Sequence, residues 1–283
     1  MLDWLIEPYA YDFMQRALLA SLLVGAVAPL VGVWIVLRRL AYLGDAMSHA
    51  TVGGVGLAYV AGWSLSVGAV GAGLAMAALI ALFTAHPRLR EDAVIGSVEA
   101  ALFAGGVLLI SSRDDVRVDL THLLFGSIST VTAADLQLNA LLAALAVAGI
   151  ALLFGDLRAA SFDPGHARLT GVRVGALNVT LLGLLAVTVV LCLQTVGLLM
   201  SVALLVVPAA AARLWTATVE TMTALAVAIG VATCTVGLTV SYHAATAPGA
   251  TITLVAVAVL ACAFLTTLPR RARPPLTHTD DVH

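Results

Sequence analysis

Apolar runs of about twenty residues, each closed by arginines, acidic residues or Gly/Pro punctuation, follow one another from residue 17 to residue 268. A run of that length matches a helix crossing a hydrocarbon core of about 30 Å, which takes about 20 residues at 1.5 Å each. The pattern predicts nine spans, at residues 17–37, 40–61, 63–83, 93–110, 136–154, 174–193, 195–212, 221–240 and 250–268. The seam between the sixth and seventh rests on Gln194 alone, and without it the count is eight. The fold class is therefore all-α: a polytopic membrane protein of about nine transmembrane helices. Two further pieces are too short to cross. Residues 118–130 are partly apolar and suit a re-entrant or interfacial segment. Residues 162–171 lie in the longest loop on their side, where Asp163 as N-cap and Pro164 at the first helical position predict a short helix. Residues 1–269 form one transmembrane domain, and 270–283 a short tail.

Composition agrees with the pattern. Of 283 residues, 61% are hydrophobic and 11% charged, against about 25% charged in soluble domains. All 14 basic residues are arginine and none is lysine. A P-loop nucleotide site uses a lysine to reach the β- and γ-phosphates, so any ATP that drives this protein is bound by another chain. A net charge of −2 gives no sign of a nucleic-acid partner. Cys192, Cys234 and Cys262 are far apart within apolar spans and read as small packing residues. The N-terminus is acidic and lacks a basic n-region, so the first span is expected to be retained.

The arginines orient the spans. With nine crossings, Arg38, Arg39, Arg88, Arg90, Arg158, Arg168, Arg173, Arg213, Arg270, Arg271 and Arg273 share one side, and only Arg16, Arg113 and Arg117 lie on the other. Basic loops stay cytoplasmic, which puts the N-terminus outside and the C-terminus inside. The outer side also carries Asp3, Glu7, Asp12, Asp114, Asp115, Asp119 and Asp135. These either concentrate cations or are ordinary polar loop residues.

Candidate chemistry centres on RRLAYLGDAMSHA, residues 38–50. Asp45 and His49 are four apart and share a helix face about 6 Å apart. With Arg39 at the cytoplasmic boundary, His49 lies about 15 Å in, near the bilayer midplane. Ionisable residues at that depth face a pathway or a partner. Carboxylate plus imidazole suits zinc and tolerates manganese, and a buried Asp–His hydrogen bond that pins helices together would equally account for the spacing. The small residues around the pair, from Gly44 to Gly56, permit close helix approach. Glu99 lies about 10 Å into the fourth span and is a candidate third ligand, a proton acceptor or a partner for an arginine. His122 and His243 fall in external segments, where each is an entry-site candidate or a plain loop residue. Pro208 interrupts the seventh span, to gate a path or to fit the bundle.

On these residues the sequence resembles the zinc/manganese family of ATP-binding-cassette permeases, the membrane subunits of bacterial metal importers. The matching segments are LRRLAYLGDAMSHA at 37–50, LLFGSIST at 123–130, FDPGHARLTGV at 162–172, VGLLMSVALLVVPAAAA at 196–212 and SYHAATAPGATITL at 241–254. The resemblance implies a homodimeric permease in the bacterial inner (plasma) membrane, with ATPase subunits on its cytoplasmic face and an extracytoplasmic metal-binding protein outside. It implies that Asp45 and His49 bind metal in the pathway, and that Phe162, Asp163, Ala167 and Gly171 belong to the coupling helix that docks on the ATPase. The chain would be a transporter subunit rather than an enzyme, with no permanently bound cofactor and zinc or manganese as cargo. Imidazole and the divalent affinity order favour zinc. The chain departs from the family after the histidine, with Val52-Gly53-Gly54 where Leu-Pro-Gly is common, and Glu99 is no part of the family pattern. Rival readings are a siderophore or corrinoid permease, in which a midplane Asp/His pair has little purpose, and an ion-coupled secondary transporter that needs no ATPase. A membrane metalloprotease lacks its HExxH.

Overall fold

The computed structural model describes residues 7–86, 88–111, 128 and 131–271. After a 3₁₀ turn at Glu7–Ala10 come α1 (Asp12–Leu37), α2 (Ala41–Ala61), α3 (Leu65–Thr84), α4 (Glu91–Ser111), α5 (Ala133–Phe162), α6 (Pro164–Leu169), α7 (Val174–Val196), α8 (Leu198–Trp215), α9 (Val219–Ala244) and α10 (Pro248–Arg271). Seven of these helices are long and apolar enough to cross a membrane: α1, α3, α4, α5, α7, α9 and α10. Two other helices are long. Helix α8 is apolar along its 18 residues, LLMSVALLVVPAAAARLW. Helix α2 has 21 residues, but Asp45, His49, its hydroxyl residues and its glycines lower its hydropathy.

Hydrogen bonds show which helix ends lie together. Arg38, just after α1, reaches Ser161 at the end of α5 and Asn178 near the start of α7. Arg158 of α5 pairs with Glu220 at the start of α9. Arg213 at the end of α8 donates to the carbonyl of Val36 at the end of α1, and Trp215 donates to Thr266 near the end of α10. These arginine-bearing ends form one face of the bundle. At the other end Tyr9, beside the N-terminus, is hydrogen-bonded to Thr239 of α9. Arg38, Arg158 and Arg213, three of the arginines that the sequence groups on one side, thus lie at one face.

Helices α1 and α7 are the most enclosed spans. Helix α1 packs on α8 and α9, while α2 is wedged against α3 and α4. Glycine makes the second packing possible. A Cβ on Gly53 would lie 2.3 Å from the carbonyl oxygen of Leu102, and one on Gly106 would lie 2.2 Å from the Cα of Gly53. Backbone therefore rests on backbone where α2 crosses α4, the small-residue contact expected within a bilayer.

Several boundaries differ from expectation. The break between the sixth and seventh spans falls at Gly197, with φ 83°, rather than at Gln194. Only a glycine takes that conformation without a Cβ penalty, so the stop is backbone geometry rather than side-chain polarity. Helix α5 runs to Phe162, eight residues past its expected end. Its last turns carry Asp156 and Arg158 at a polar boundary, and a helix that leaves the membrane need not stop there. Helix α2 continues unbroken through Val52-Gly53-Gly54 to Ala61. The expected re-entrant segment at 118–130 lies outside the described residues, Ile128 apart. So do Asp3, Asp114, Asp115, Asp119, Arg113, Arg117, His122 and the tail beyond residue 271.

Candidate metal pathway and coupling face

Helix α2 begins directly after a three-residue turn, Arg38–Leu40, in which Arg39 takes φ 62° and Leu40 N–H donates to the carbonyl of Ile35 at 2.9 Å. The turn fixes the register of α2, and the register decides which side chains are covered. Leu43, Gly44, Ala46, Met47, Ser48 and Ala50 are buried. Ser48 meets Ser201 of α8 at 3.2 Å, and a Cβ on Gly44 would strike Leu205. Asp45 and His49 fall on the opposite stripe with Tyr42, three and four residues apart, and stay accessible.

Side chains of His49 and Asp45 keep 36% and 39% of their surface, and Nε2 stands 3.7 Å from Oδ1. That separation is beyond hydrogen-bond length. The pair sits on one helix, so it pins no two helices together, and both groups are open to a third atom. An ion between them would draw two donors of suitable type, one oxygen and one nitrogen. Phe103 of α4 packs edge-on to the His49 ring at 5.8 Å between centroids, which limits its rotation.

Glu99 lies one turn before Phe103 on α4, and Tyr42 Oη donates to its Oε2 at 2.6 Å. It is drawn toward the stripe yet held by the phenol. Among the described residues no three His, Cys, Asp or Glu side chains gather as a metal site, so Asp45 and His49 stand as a pair within one chain. His243 is exposed at the last turn of α9, where its ring meets Tyr242 edge-on at 5.3 Å. It lies at the end of the bundle where Tyr9 meets Thr239.

At the arginine-bearing end, Asp163 closes α5 and opens α6, its Oδ1 accepting from the backbone N–H of His166 at 2.9 Å. Pro164 takes the first helical position, as the sequence predicts. Ala167 is fully buried and anchors the short helix, and Gly171 turns the chain at φ 90° toward α7. Phe162 and Leu169 point outward, 70% and 88% exposed.

Residues 10–267 match the ABC 3 transport family. The chain belongs to that family. Among its relatives, the manganese transport system membrane protein MntC of Listeria monocytogenes is 37% identical, over 90% of this chain and 91% of its own length. A probable iron transport system membrane protein of Haemophilus influenzae is 35% identical, over 93% and 98%. Among solved structures, PsaBC from Streptococcus pneumoniae in complex with Fab superposes with a TM-score of 0.84 at 31% identity, covering 96% of this chain and 98% of the other. As an ABC 3 family permease, the protein is a membrane-embedded transport subunit and not an enzyme, with ATP hydrolysis on a separate chain.

Sequence reasoning missed three participants. Tyr42 lies inside the motif already singled out, and its i, i+3, i+7 spacing to Asp45 and His49 was the available signal. Phe103 and Leu169 gave none, since each looks like any other apolar residue until its neighbours are known.

Proposed function

We propose that this ABC 3 family permease imports a divalent first-row metal ion, passing it inward between Asp45 and His49. The observation that carries the reading is the state of that pair: adjacent at 3.7 Å, beyond hydrogen-bond length, and partly accessible while Leu43, Gly44, Ala46, Met47, Ser48 and Ala50 around it are buried. Manganese is the first ion to test, because relatives at 33–37% identity carry manganese transport in their names. Zinc, which the donor chemistry favours on its own, is the second. Glu99 and His243 are not assigned as ligands: Tyr42 holds the first, and the second lies at the far end of α9.

The same exposure supports a homodimer. A carboxylate facing lipid within the bilayer is costly, up to about 2.5–3.5 kcal/mol at the helix centre on insertion scales. Covering the α2 stripe with the same stripe of a second copy removes that cost and brings two Asp/His pairs together, enough for a four-ligand site. The arginine-bearing face is assigned to the cytoplasm, so the N-terminus lies outside and the C-terminus inside, in the bacterial inner membrane. Phe162, Asp163, Ala167 and Gly171 then belong to the helix that docks on the ATPase, with Leu169 added to its contact surface. An extracytoplasmic metal-binding protein delivers the ion, and ATP binding moves α6 and with it the bundle, so that the pair opens alternately to each side.

The test is uptake of labelled manganese and zinc into proteoliposomes holding the permease, its ATPase and its binding protein. Asp45→Asn and His49→Ala are each expected to lower uptake at least about tenfold, the scale on which even outer-shell support of a metal matters, while the complex stays assembled. Normal uptake by both variants refutes the site. Uptake of chelated metal but not free metal would favour the siderophore or corrinoid reading.

A further inference from the structure

Helix α6 is joined to the bundle by the end of α5 and the start of α7, and one side chain from elsewhere reaches both. Arg38 donates from Nε to Ser161 Oγ at 3.3 Å and from Nη1 to Asn178 Oδ1 at 2.5 Å. Ser161 lies two residues before Asp163, the N-cap of α6, and Asn178 lies in the first turns of α7. The backbone of Arg38 opens the tight turn from which α2 rises, seven residues before Asp45. Asp45 is the fifth residue of that helix, little more than one turn from its start. A planar guanidinium holds two acceptors at a fixed angle, which a lysine ammonium does not. The side chain is therefore a rigid bridge from both flanks of α6 to the base of the Asp45/His49 helix.

The bridge is also incomplete. Nη2 of Arg38 is buried and has no hydrogen-bond partner. Beside it lies a cavity of about 410 Å³ lined in part by Leu43, Glu91, Pro164 and Arg168. Glu91 is the first residue of α4, and its charge acts on the guanidinium. Hydrogen bonds between a guanidinium and a carboxylate are stronger than those to a hydroxyl or amide, so Glu91, across the cavity, offers a competing set of acceptors. An alternative partner with room to reach it is what a two-state coupling element requires.

We infer that Arg38 transmits the displacement of α6 to α2 and the Asp45/His49 pair, exchanging Ser161 and Asn178 for Glu91 as it does so. The inference rests on α6 being the helix that docks on the ATPase. Arg38 is a positioning residue: it acts on the ion through α2 and does not touch it.

The experiment measures metal ions imported per ATP hydrolysed, in proteoliposomes holding the full complex and manganese-loaded binding protein. Arg38→Lys keeps the charge but cannot bridge, and Asn178→Leu keeps the shape but offers no acceptor. Each is expected to retain ATP hydrolysis within about twofold and to lower the import-to-hydrolysis ratio at least fivefold. The double variant is expected to be no worse than the worse single one, because both break one interaction. An unchanged ratio in both singles, whether or not the two rates fall together, overturns the inference. Phe162→Asp combined with Leu169→Asp separates the two readings. If that variant still binds the ATPase and shows normal stimulation, the docking assignment of α6 has failed. If it uncouples while Arg38→Lys and Asn178→Leu do not, only the role of Arg38 has failed.

Discussion

Replacing Gly53 by alanine tests the helix contact that carries the candidate site, and two opposing effects decide its sign. In an ordinary helix the change stabilises by about 0.8–1 kcal/mol. Here the new Cβ would sit 2.3 Å from the carbonyl oxygen of Leu102, whereas ordinary Cβ contacts begin at 3.4 Å. Helices α2 and α4 must therefore part locally by about 1.1 Å, the difference of those two distances. Overpacking of that kind costs typically 1–3 kcal/mol. Crowding exceeds propensity, and the net expectation is a loss of roughly 1–2 kcal/mol. The separation also withdraws Phe103 from the His49 ring, so metal uptake should fall with stability. The assay is the Tm of the purified permease in detergent, with Gly71→Ala as control because nothing lies within 4 Å of its Cβ position. A Gly53→Ala protein that melts at or above the wild-type temperature refutes the close contact and, with it, the placement of α4 beside the pair.

Glu99→Gln removes a carboxylate from beside the path and is expected to raise the KM for metal uptake a few-fold with kcat unchanged; transport kinetics in proteoliposomes measure it. Asp163→Ala deletes the N-cap of a six-residue helix that cannot stand alone, at about 1 kcal/mol. The expected outcome is weaker stimulation of the ATPase by loaded binding protein, with α1–α5 intact by circular dichroism. Thr132→Ala breaks the capping box at the start of α5, where Thr132 and Asp135 satisfy each other's backbone N–H groups. It should lower Tm by an amount corresponding to about 1 kcal/mol and leave metal uptake per folded protein unchanged.

The fold was legible because bilayer spans are written in long, redundant signals. Twenty apolar residues closed by arginines survive several local ambiguities, which is why all nine long helices overlap their expected spans. The seam at Gly197 was harder, since a backbone dihedral of 83° leaves no mark beyond one glycine among many. The Asp45/His49 pair was visible from spacing alone, and the motif around it named the family. What spacing could not give was the distance between the two groups or their exposure. Those depend on Ser48, Gly44 and Gly53 packing the rest of α2 away against α8 and α4. Glu99 was seen as a charge in a span, but its link to Tyr42 joins residues 57 positions apart, which one sequence does not reveal. The same limit hid the convergence of Arg38, Ser161 and Asn178.

A helix as polar as α2 is a poor candidate for entering a membrane unaided. An aspartate costs up to about 2.5–3.5 kcal/mol on insertion scales, the figure for a helix centre, while a leucine or valine returns at most about 0.6; Asp45 is the fifth residue of α2. Helix α2 spends ten of its 21 residues on Gly, Ser, Thr, Asp, His and Tyr. It is followed after three residues by the strongly apolar α3 and preceded by α1 after an equally short turn. Insertion of α2 is therefore expected to be cooperative, with α2 entering the bilayer as the polar limb of a hairpin held down by its neighbours. Weakening α1 or α3 is expected to leave α2 outside the membrane, so the helix that holds the candidate pair is also the one whose topology is most easily lost.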